Sequence, residues 1–333
     1  MPALIGGFGN VKTKIIKLNE NTTTLKVKNS NINKDNTVSI SKYHKISFGP
    51  WLAGLIEGDG SIAVHDKNSK SQKYRPKIIV VFHLTDKPLA ERLAFITQSG
   101  KVYIKKNAGY VLWQIQKKED VIRIINIING YMRTPKIEAL HRAIEWFNQY
   151  DGSAINLLNL DTSPINSNAW LAGFADADGG FTINITDRKK NAKITGKRVQ
   201  VFFRIEVRQN YHRNVTELQG GNSYFNILTN IARFLAVNLY TRSRQQKDKV
   251  FYSFTVISHN TQSHQILRNY FDKFPLYSSK YLAYKDWCEV LDLMKENTLT
   301  IENLDKIKAI KAQFNSKRKV FDFSHLNSLT RRD

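Results

Sequence analysis

The sequence predicts an α+β fold built from two pseudo-symmetric αββαββα domains. Two stretches, WLAGLIEGDG (51–60) and WLAGFADADG (170–179), repeat one pattern in which an apolar segment ends in two acids and a glycine. Helix-like and strand-like segments follow both stretches in the same order, which indicates an internal duplication. A chain of 333 residues has room for two medium-sized domains. We therefore expect the two repeated helices to pack together at the domain interface.

The first domain is predicted over residues 47–150. Pro50 suits the first turn of the repeated helix, which we expect to end near Gly60. Alternating apolar residues define the strands, and the segment 107–109 predicts the turn of a hairpin. The predicted elements after the first helix are strands 61–64 and 77–84, helix 85–98, strands 101–106 and 109–116, and helices 119–129 and 135–150.

The second domain is predicted over residues 169–315, after a linker at 151–168. Two basic insertions, near 187–198 and 211–223, make this copy longer than the first. Its predicted elements are helix 169–179, strands 181–185 and 198–208, helix 224–236, strands 238–244 and 250–257, and helix 261–271. Outside the two domains, residues 1–46 predict a flexible basic leader, and residues 316–333 predict a basic tail.

The charge of the chain restricts its partners. Lys and Arg number 51 against 28 Asp and Glu, which gives a net charge of +23. This excess favours a polyanionic partner, above all a nucleic acid. The single cysteine, Cys288, excludes an intrachain disulfide framework and a cysteine-built zinc site, and it fits a reducing compartment. The longest apolar runs are too short to cross a membrane, so no membrane partner is expected.

One face of each predicted sheet is polar, basic and aromatic, whereas the other face is apolar and suited to packing on helices. Such a polar face fits a DNA duplex, with an ordinary solvated surface as the open alternative. Two sheets of ten-residue strands would cover about 20 base pairs. The residues expected to contact DNA are Lys77, His83, Lys101, Tyr103, Lys105 and Gln114 in the first domain, and Arg188, Gln200, Arg204, Arg208, Tyr240, Arg242 and Arg244 in the second.

The acids at the ends of the repeated helices suggest a metal site. Small residues before them, such as Gly54 and Gly173, permit close helix packing, which would bring Asp59 and Asp178 together. Both carboxylates would then lie at helix C-termini, where the helix dipole is unfavourable, and they would repel each other. A divalent cation such as Mg²⁺ between them would offset both effects. For one copy alone, a solvated cap and turn would be the better explanation of the acid and glycine. The occurrence of the pattern in two copies, each after Trp-Leu-Ala-Gly, argues against it.

The paired stretches resemble the LAGLIDADG homing endonucleases, in particular the single-chain kind with two motifs, over about residues 47–315. The resemblance implies a saddle of two sheets, and it implies that Asp59 and Asp178 bind the catalytic metal. It also implies that the carbonyl groups of Gly58 and Ala177 assist them. The earlier acids of the two motifs, Glu57 and Asp176, are expected to be structural.

The resemblance further implies one basic residue in each copy near the metal, and the matching positions are Lys136 and Lys280. A polar residue that orients water is expected after the second strand of each copy, and alignment of the repeats gives Asp86 and Gln209. We interpret Asp86 instead as the cap of the helix that contains Pro88. The expected cofactor is Mg²⁺, with Mn²⁺ as a substitute and Ca²⁺ binding without turnover.

The function implied is a site-specific double-strand DNA endonuclease encoded in an organellar, mitochondrial intron. It would act as a monomer on a long asymmetric DNA target and leave 3′ overhangs. The alternative is a maturase, which binds group I intron RNA on the same scaffold and assists splicing. A dual function stays open, because the motif acids do not exclude RNA binding. Loss of a motif acid would favour the maturase or a non-cleaving regulator, but both acids are present.

Overall fold

The computed structural model describes residues 11–16, 48–65, 75–191, 193–213, 221–295 and 299–330. The first half contains α1 (Phe48–Asp59), β2 (Gly60–Ala63), β3 (Lys77–His83), α2 (Lys87–Thr97), β4 (Lys101–Lys105), β5 (Tyr110–Ile115), α3 (Lys118–Ile128) and α4 (Ile137–Asp151). The predicted order of elements is confirmed, including both helices predicted after the fourth strand.

The second half repeats this order. It contains α5 (Trp170–Asp178), β6 (Gly179–Lys190), β7 (Lys193–Arg208), α6 (Phe225–Phe234), β8 (Leu239–Gln246), β9 (Lys249–Ser258), α7 (Thr261–Lys273), α8 (Lys280–Leu293) and α9 (Ile301–Ala312). Strands β6 and β7 are longer than predicted. Residues 187–190 and 193–198, expected to belong to an insertion, continue their ladder, with Asp187 opposite Lys197. Residues 214–220, which belong to the second predicted insertion, lie outside the described residues.

The strands form two antiparallel sheets, and each sheet buries one face under helices. The first sheet has the strand order β2-β3-β5-β4. Alternation along β3 places Ile78, Val80 and Phe82 in the core at 0, 0 and 5% exposure, as the sequence predicts. The second sheet has five strands, because β1 (Val11–Ile16) adds an edge to the order β1-β8-β9-β7-β6.

Strand β1 differs from the predicted flexible leader. Residues 11–16 pair with residues 239–244 of β8 along the full length of the short strand. The sequence VKTKII alternates in a way that suits an edge strand, but its pairing partner lies more than 200 residues away. The rest of the predicted leader, residues 1–10 and 17–46, lies outside the described residues.

The C-terminal segment also packs on the other half of the molecule. After α9 it forms short 3₁₀ turns at Asn315–Lys317 and Ser324–Ser328, and Leu326 and Leu329 are buried. The Leu329 carbonyl accepts hydrogen bonds from Nε and Nη2 of Arg92 on α2, at 3.1 and 2.9 Å. Among the helices that the structure describes, none is long and apolar enough to cross a membrane.

Candidate catalytic centre and nucleic-acid interface

The motif helices α1 and α5 cross at backbone contact. A Cβ atom on Gly54 would lie 2.2 Å from the carbonyl oxygen of Trp170, and one on Gly173 would lie 1.8 Å from that of Trp51. No larger residue fits either position without moving a helix. Glycine disfavours helix formation, so its use at both crossing points is explained by this close approach.

The close approach continues to the acidic ends of the two helices. A Cβ on Gly58 would lie 2.2 Å from the Cβ of Ala177 and 3.2 Å from Oδ2 of Asp178. Burial raises the pKa of Asp59. Burial and then the charge of Asp59 raise the pKa of Asp178 to about 6. The charge of Asp59 therefore acts on Asp178, which is the repulsion that the sequence predicts.

Each predicted lysine reaches the end of the motif helix in its own half. Lys136 Nζ, just before α4, donates to the carbonyl oxygens of Ile56, Gly58 and Gly60 at 3.1, 3.3 and 2.8 Å. Lys280 Nζ, at the start of α8, donates to those of Ala175 and Ala177 at 3.2 and 2.5 Å. The ammonium groups thus satisfy helix C-terminal carbonyls and lie beside both acids.

The first acid of each motif is buried, and its oxygens accept hydrogen bonds from both halves. Glu57 accepts from Trp170 Nε1 of the other motif helix and from the backbone N–H of Arg133 and Thr134 in its own half. The Thr134 hydroxyl completes the set at 2.6 Å. Burial raises the pKa of Glu57 to about 7 against these donors.

Asp176 repeats this arrangement in the second half. It accepts from Trp51 Nε1 at 2.9 Å, from the backbone N–H of Tyr277 and Ser278, and from the Ser278 hydroxyl at 2.6 Å. Burial raises its pKa to about 6. Each of these acids therefore fixes the segment before a lysine and also joins the two motif helices. Their expected structural role is confirmed by this geometry.

The positions after the second strand differ between the halves. Asp86 is buried and accepts from the Ser279 backbone N–H at 2.6 Å and from the Ser279 hydroxyl at 3.1 Å. Asp86 does occupy the N-cap position of α2, but its side chain does not cap the helix. Its backbone is not extended (φ −89°, ψ 15°), and its side chain makes no hydrogen bond to the helix that follows. Gln209 Nε2 instead donates to the Ser253 carbonyl at 3.4 Å within its own half.

A polar cleft of about 490 Å³ opens beside Asp178. Lys136, Arg142 and Arg208 line it together with the motif residues Gly58 and Gly60. The sequence predicts Arg208 on the DNA-binding face of the sheet, but it does not predict that Arg208 lies in the same cleft as Asp178. Four further lining residues of the second half were not predicted as part of the site: Tyr211, His212, Arg213 and Tyr224.

The residues predicted to contact DNA lie on one face in each half. In the first sheet Gln114 of β5 is opposite Lys101, and Tyr110 is opposite both Lys105 and His83. Tyr103 and Lys77 have the same parity in the ladder, so they share this face. The set therefore forms the face opposite the buried Ile78 and Val80.

In the second sheet Arg208, Ser253 and Arg242 form one row across β7, β9 and β8. Two other predicted residues, Tyr240 and Arg244, have the parity of Arg242. The members of the set on the β6–β7 hairpin, Arg188, Gln200 and Arg204, have the parity of Arg208. Contact of these residues with DNA stays a prediction.

Metal binding at the centre would depend on few protein ligands. Within the described residues, no group of three or more His, Cys, Asp or Glu side chains is placed to hold a metal ion. The oxygen donors at the centre are the Asp59 and Asp178 carboxylates and the nearby carbonyl groups. Such a set fits a hard cation that keeps several water or phosphate ligands.

Several structural partners of the site escaped sequence reasoning. Trp51 and Trp170 begin the two repeated stretches. Only this repetition in the sequence indicates a shared role, which is hydrogen bonding to the acid of the opposite motif helix. Ser279 gave no sign, because its link to Asp86 joins residues 193 positions apart.

Comparison with known proteins agrees with this architecture. The model of the LAGLIDADG endonuclease family matches residues 52–147 and 171–291, so each half carries one match. The chain is 40% identical over 352 aligned positions to "Intron-encoded DNA endonuclease aI3" of Saccharomyces cerevisiae, covering 98% of this chain and 81% of that protein.

A second relative has a different name. "Intron-encoded RNA maturase bI4" of the same yeast is 31% identical over 235 positions, which cover 65% of this chain and 33% of that protein. Among solved structures, the LAGLIDADG homing endonuclease I-GzeII, crystallised with its DNA target, matches with a TM-score of 0.58 at 18% identity. The match covers 82% of this chain and all of that one. The chain belongs to the LAGLIDADG family of homing endonucleases and carries both motifs of the family in one polypeptide.

Proposed function

We propose that this protein is a site-specific double-strand DNA endonuclease that cuts a long asymmetric target. The observation that carries the proposal is the pair of carboxylates, Asp59 and Asp178, at the C-terminal ends of two helices in backbone contact. The basic sheet faces support a duplex as substrate. One chain supplies both acids and both sheets, which supports action as a monomer. Cleavage would leave 3′ overhangs.

Asp59 and Asp178 would hold Mg²⁺, with help from the carbonyl oxygens of Gly58 and Ala177. The bound metal would polarise a water molecule and stabilise the leaving oxygen. Mn²⁺ should substitute. Ca²⁺ should bind without turnover, because it accepts looser coordination at longer distances.

Lys136 and Lys280 would stabilise negative charge on the phosphate that is cut. Both ammonium groups already lie beside the acids and contact the Gly58 and Ala177 carbonyls. Burial lowers the pKa of Lys136 to about 8, so this group could also exchange a proton near neutral pH. Gln209 would orient water, since its present hydrogen bond to Ser253 is long at 3.4 Å.

Splicing of group I intron RNA is the second candidate function. It is supported by the 31% identity to the yeast maturase bI4. The names of both yeast relatives support an intron as the location of the coding sequence, and on this basis we infer a mitochondrial origin.

Cleavage of a randomised plasmid library with Mg²⁺ tests the proposal. Wild type should enrich one cut site with 3′ overhangs, while Asp59→Asn and Asp178→Asn should cut about a thousandfold more slowly. Asp305→Asn is the matched control, because Asp305 is an exposed acid on α9, and it should cut like wild type. A wild-type protein that cuts no DNA with Mg²⁺ or Mn²⁺ would contradict the proposal and leave RNA binding as the function to test.

A further inference from the structure

Strand β1 adds an outer strand to the sheet of the second half, and the described residues add no equivalent strand to the first. It precedes α1 in the chain, yet it pairs with β8 in the sheet of the second half. The first sheet ends at β4 with no equivalent strand among the described residues. The two polar sheet faces therefore differ in width by one strand, or about 4.8 Å.

The ladder register shows which side chains of β1 reach the polar face. Thr13 is opposite Arg242, and Ile15 is opposite Tyr240. Paired residues in an antiparallel ladder point to the same side. Arg242 is on the polar face, because its guanidinium and the Ser253 hydroxyl both donate to Glu206. Thr13 and Ile15 therefore extend this face outward.

The charged residues of β1 lie on the opposite side. Ile16 is opposite the buried Leu239. Lys12 and Lys14 alternate with the same parity as Ile16, so they lie on the face of the sheet that packs against helices, at its exposed edge. Strand β1 thus contributes a hydroxyl and a branched apolar side chain to a row that is otherwise rich in arginine. Ile15 is 58% exposed there.

We propose that β1 reads bases at the outer end of the half-site bound by the second sheet. The proposal rests on the DNA endonuclease function proposed above. Its chemistry is contact of the Ile15 and Thr13 methyl groups with thymine methyl groups in the major groove, with the Thr13 hydroxyl as a hydrogen-bonding group. The side chains that would add phosphate affinity, Lys12 and Lys14, are on the other face. The strand therefore supplies sequence preference rather than salt-dependent affinity.

The test compares two double variants of the full chain by cleavage of a DNA library randomised across the target. Thr13→Ala/Ile15→Ala should lose preference at one or two adjacent outer positions of a single half-site, by about fivefold to tenfold per position. Lys12→Gln/Lys14→Gln is the matched control on the opposite face, and it should keep the wild-type preference at every position. A third variant, Ile15→Arg, should introduce a preference for guanine at the same positions.

The outcomes separate this inference from the function on which it rests. If wild type cuts one site and Thr13→Ala/Ile15→Ala keeps the full preference, β1 only covers the edge of β8, and the inference is wrong while the function stands. An equal loss in both double variants would also overturn it. If wild type cuts no DNA, the proposed function and this inference fail together.

Discussion

Glu57 in the first half and Asp176 in the second accept hydrogen bonds from equivalent donors: a tryptophan of the opposite helix, two backbone N–H groups and a hydroxyl. Asp86 and Gln209 occupy matching positions farther from the motif helices, but their hydrogen-bond partners are not equivalent. Asp86 accepts from Ser279 across the domain interface, whereas Gln209 donates to Ser253 within its own sheet. The halves are therefore alike at the motif helices and different toward their edges.

This contrast follows from what each region would have to do. If both DNA strands are cut, the two acids must meet equivalent phosphates, so the helices that position them are held to one geometry. The sheets would contact different sequences in the two half-sites, so their strands, loops and edges are free to diverge. The chain termini add to the divergence, because β1 joins the sheet of the second half and the C-terminal segment packs on Arg92 of the first.

The largest expected effect comes from filling the helix crossing. Gly173→Ala would place a methyl group 1.8 Å from the Trp51 carbonyl oxygen, and Gly54→Ala would place one 2.2 Å from that of Trp170. Backbone must move in either case, so we expect the free energy of unfolding to fall by about 3 kcal/mol in each variant. Denaturant titration of both variants measures this loss.

Gly180→Ala is the matched control for the crossing. No atom lies within 4 Å of the position that its Cβ would take, and the change should be less than about 1 kcal/mol. A loss at Gly173 no larger than that at Gly180 would show that the motif helices are not in rigid contact. A large loss of stability at only one of the two crossing glycines would show that the two crossing positions are not equivalent.

The next effect tests the buried acids that join the halves. Glu57→Gln and Asp176→Asn would each turn an accepting oxygen into a donor that faces other donors, leaving at least one buried N–H or O–H unpaired. Removal of a buried charge whose pKa is raised offsets part of this cost at pH 8, so we expect each variant to lose about 1.5 kcal/mol there. The exposed Glu302→Gln on α9 should unfold at the same denaturant concentration as wild type. Denaturant titrations in which the two buried variants differed by several-fold would contradict the equivalence of the halves.

The centre could be predicted from the sequence because its signals are local and repeated. The repeated motif stretches predict the contact between the two helices and the position of the acids. The alternation of residues along the strands predicts the polar faces of the sheets. The lysines came from the family resemblance, and the structure places both beside the acids. Each of these features depends on residues close together in the chain or on a pattern present twice.

The features that escaped prediction depend on distant, unrepeated contacts. The residues of β1 carry an ordinary edge-strand pattern that does not identify β8 as their partner. Asp86 precedes a helix in a way that favours capping, and only the position of Ser279 shows that its carboxylate is used elsewhere. The bonds of Trp51 and Trp170 to the acids require the helix crossing to be known first.

The smallest effect tests the asymmetry at Asp86. Asp86→Asn keeps one acceptor for Ser279 but loses the second, so we expect a loss of about 1 kcal/mol in the free energy of unfolding. Ser279 precedes Lys280, and the charge of Asp86 acts on both Lys280 and Asp59. The variant should therefore slow the cut in one strand by about fivefold, and nicked plasmid should accumulate in a cleavage time course.

Gln209→Glu, at the matching position, changes a partly exposed group and should cost less than about 0.5 kcal/mol. Equal losses of stability in the two variants, or no accumulation of nicked plasmid with Asp86→Asn, would show that this difference between the halves does not reach the catalytic centre.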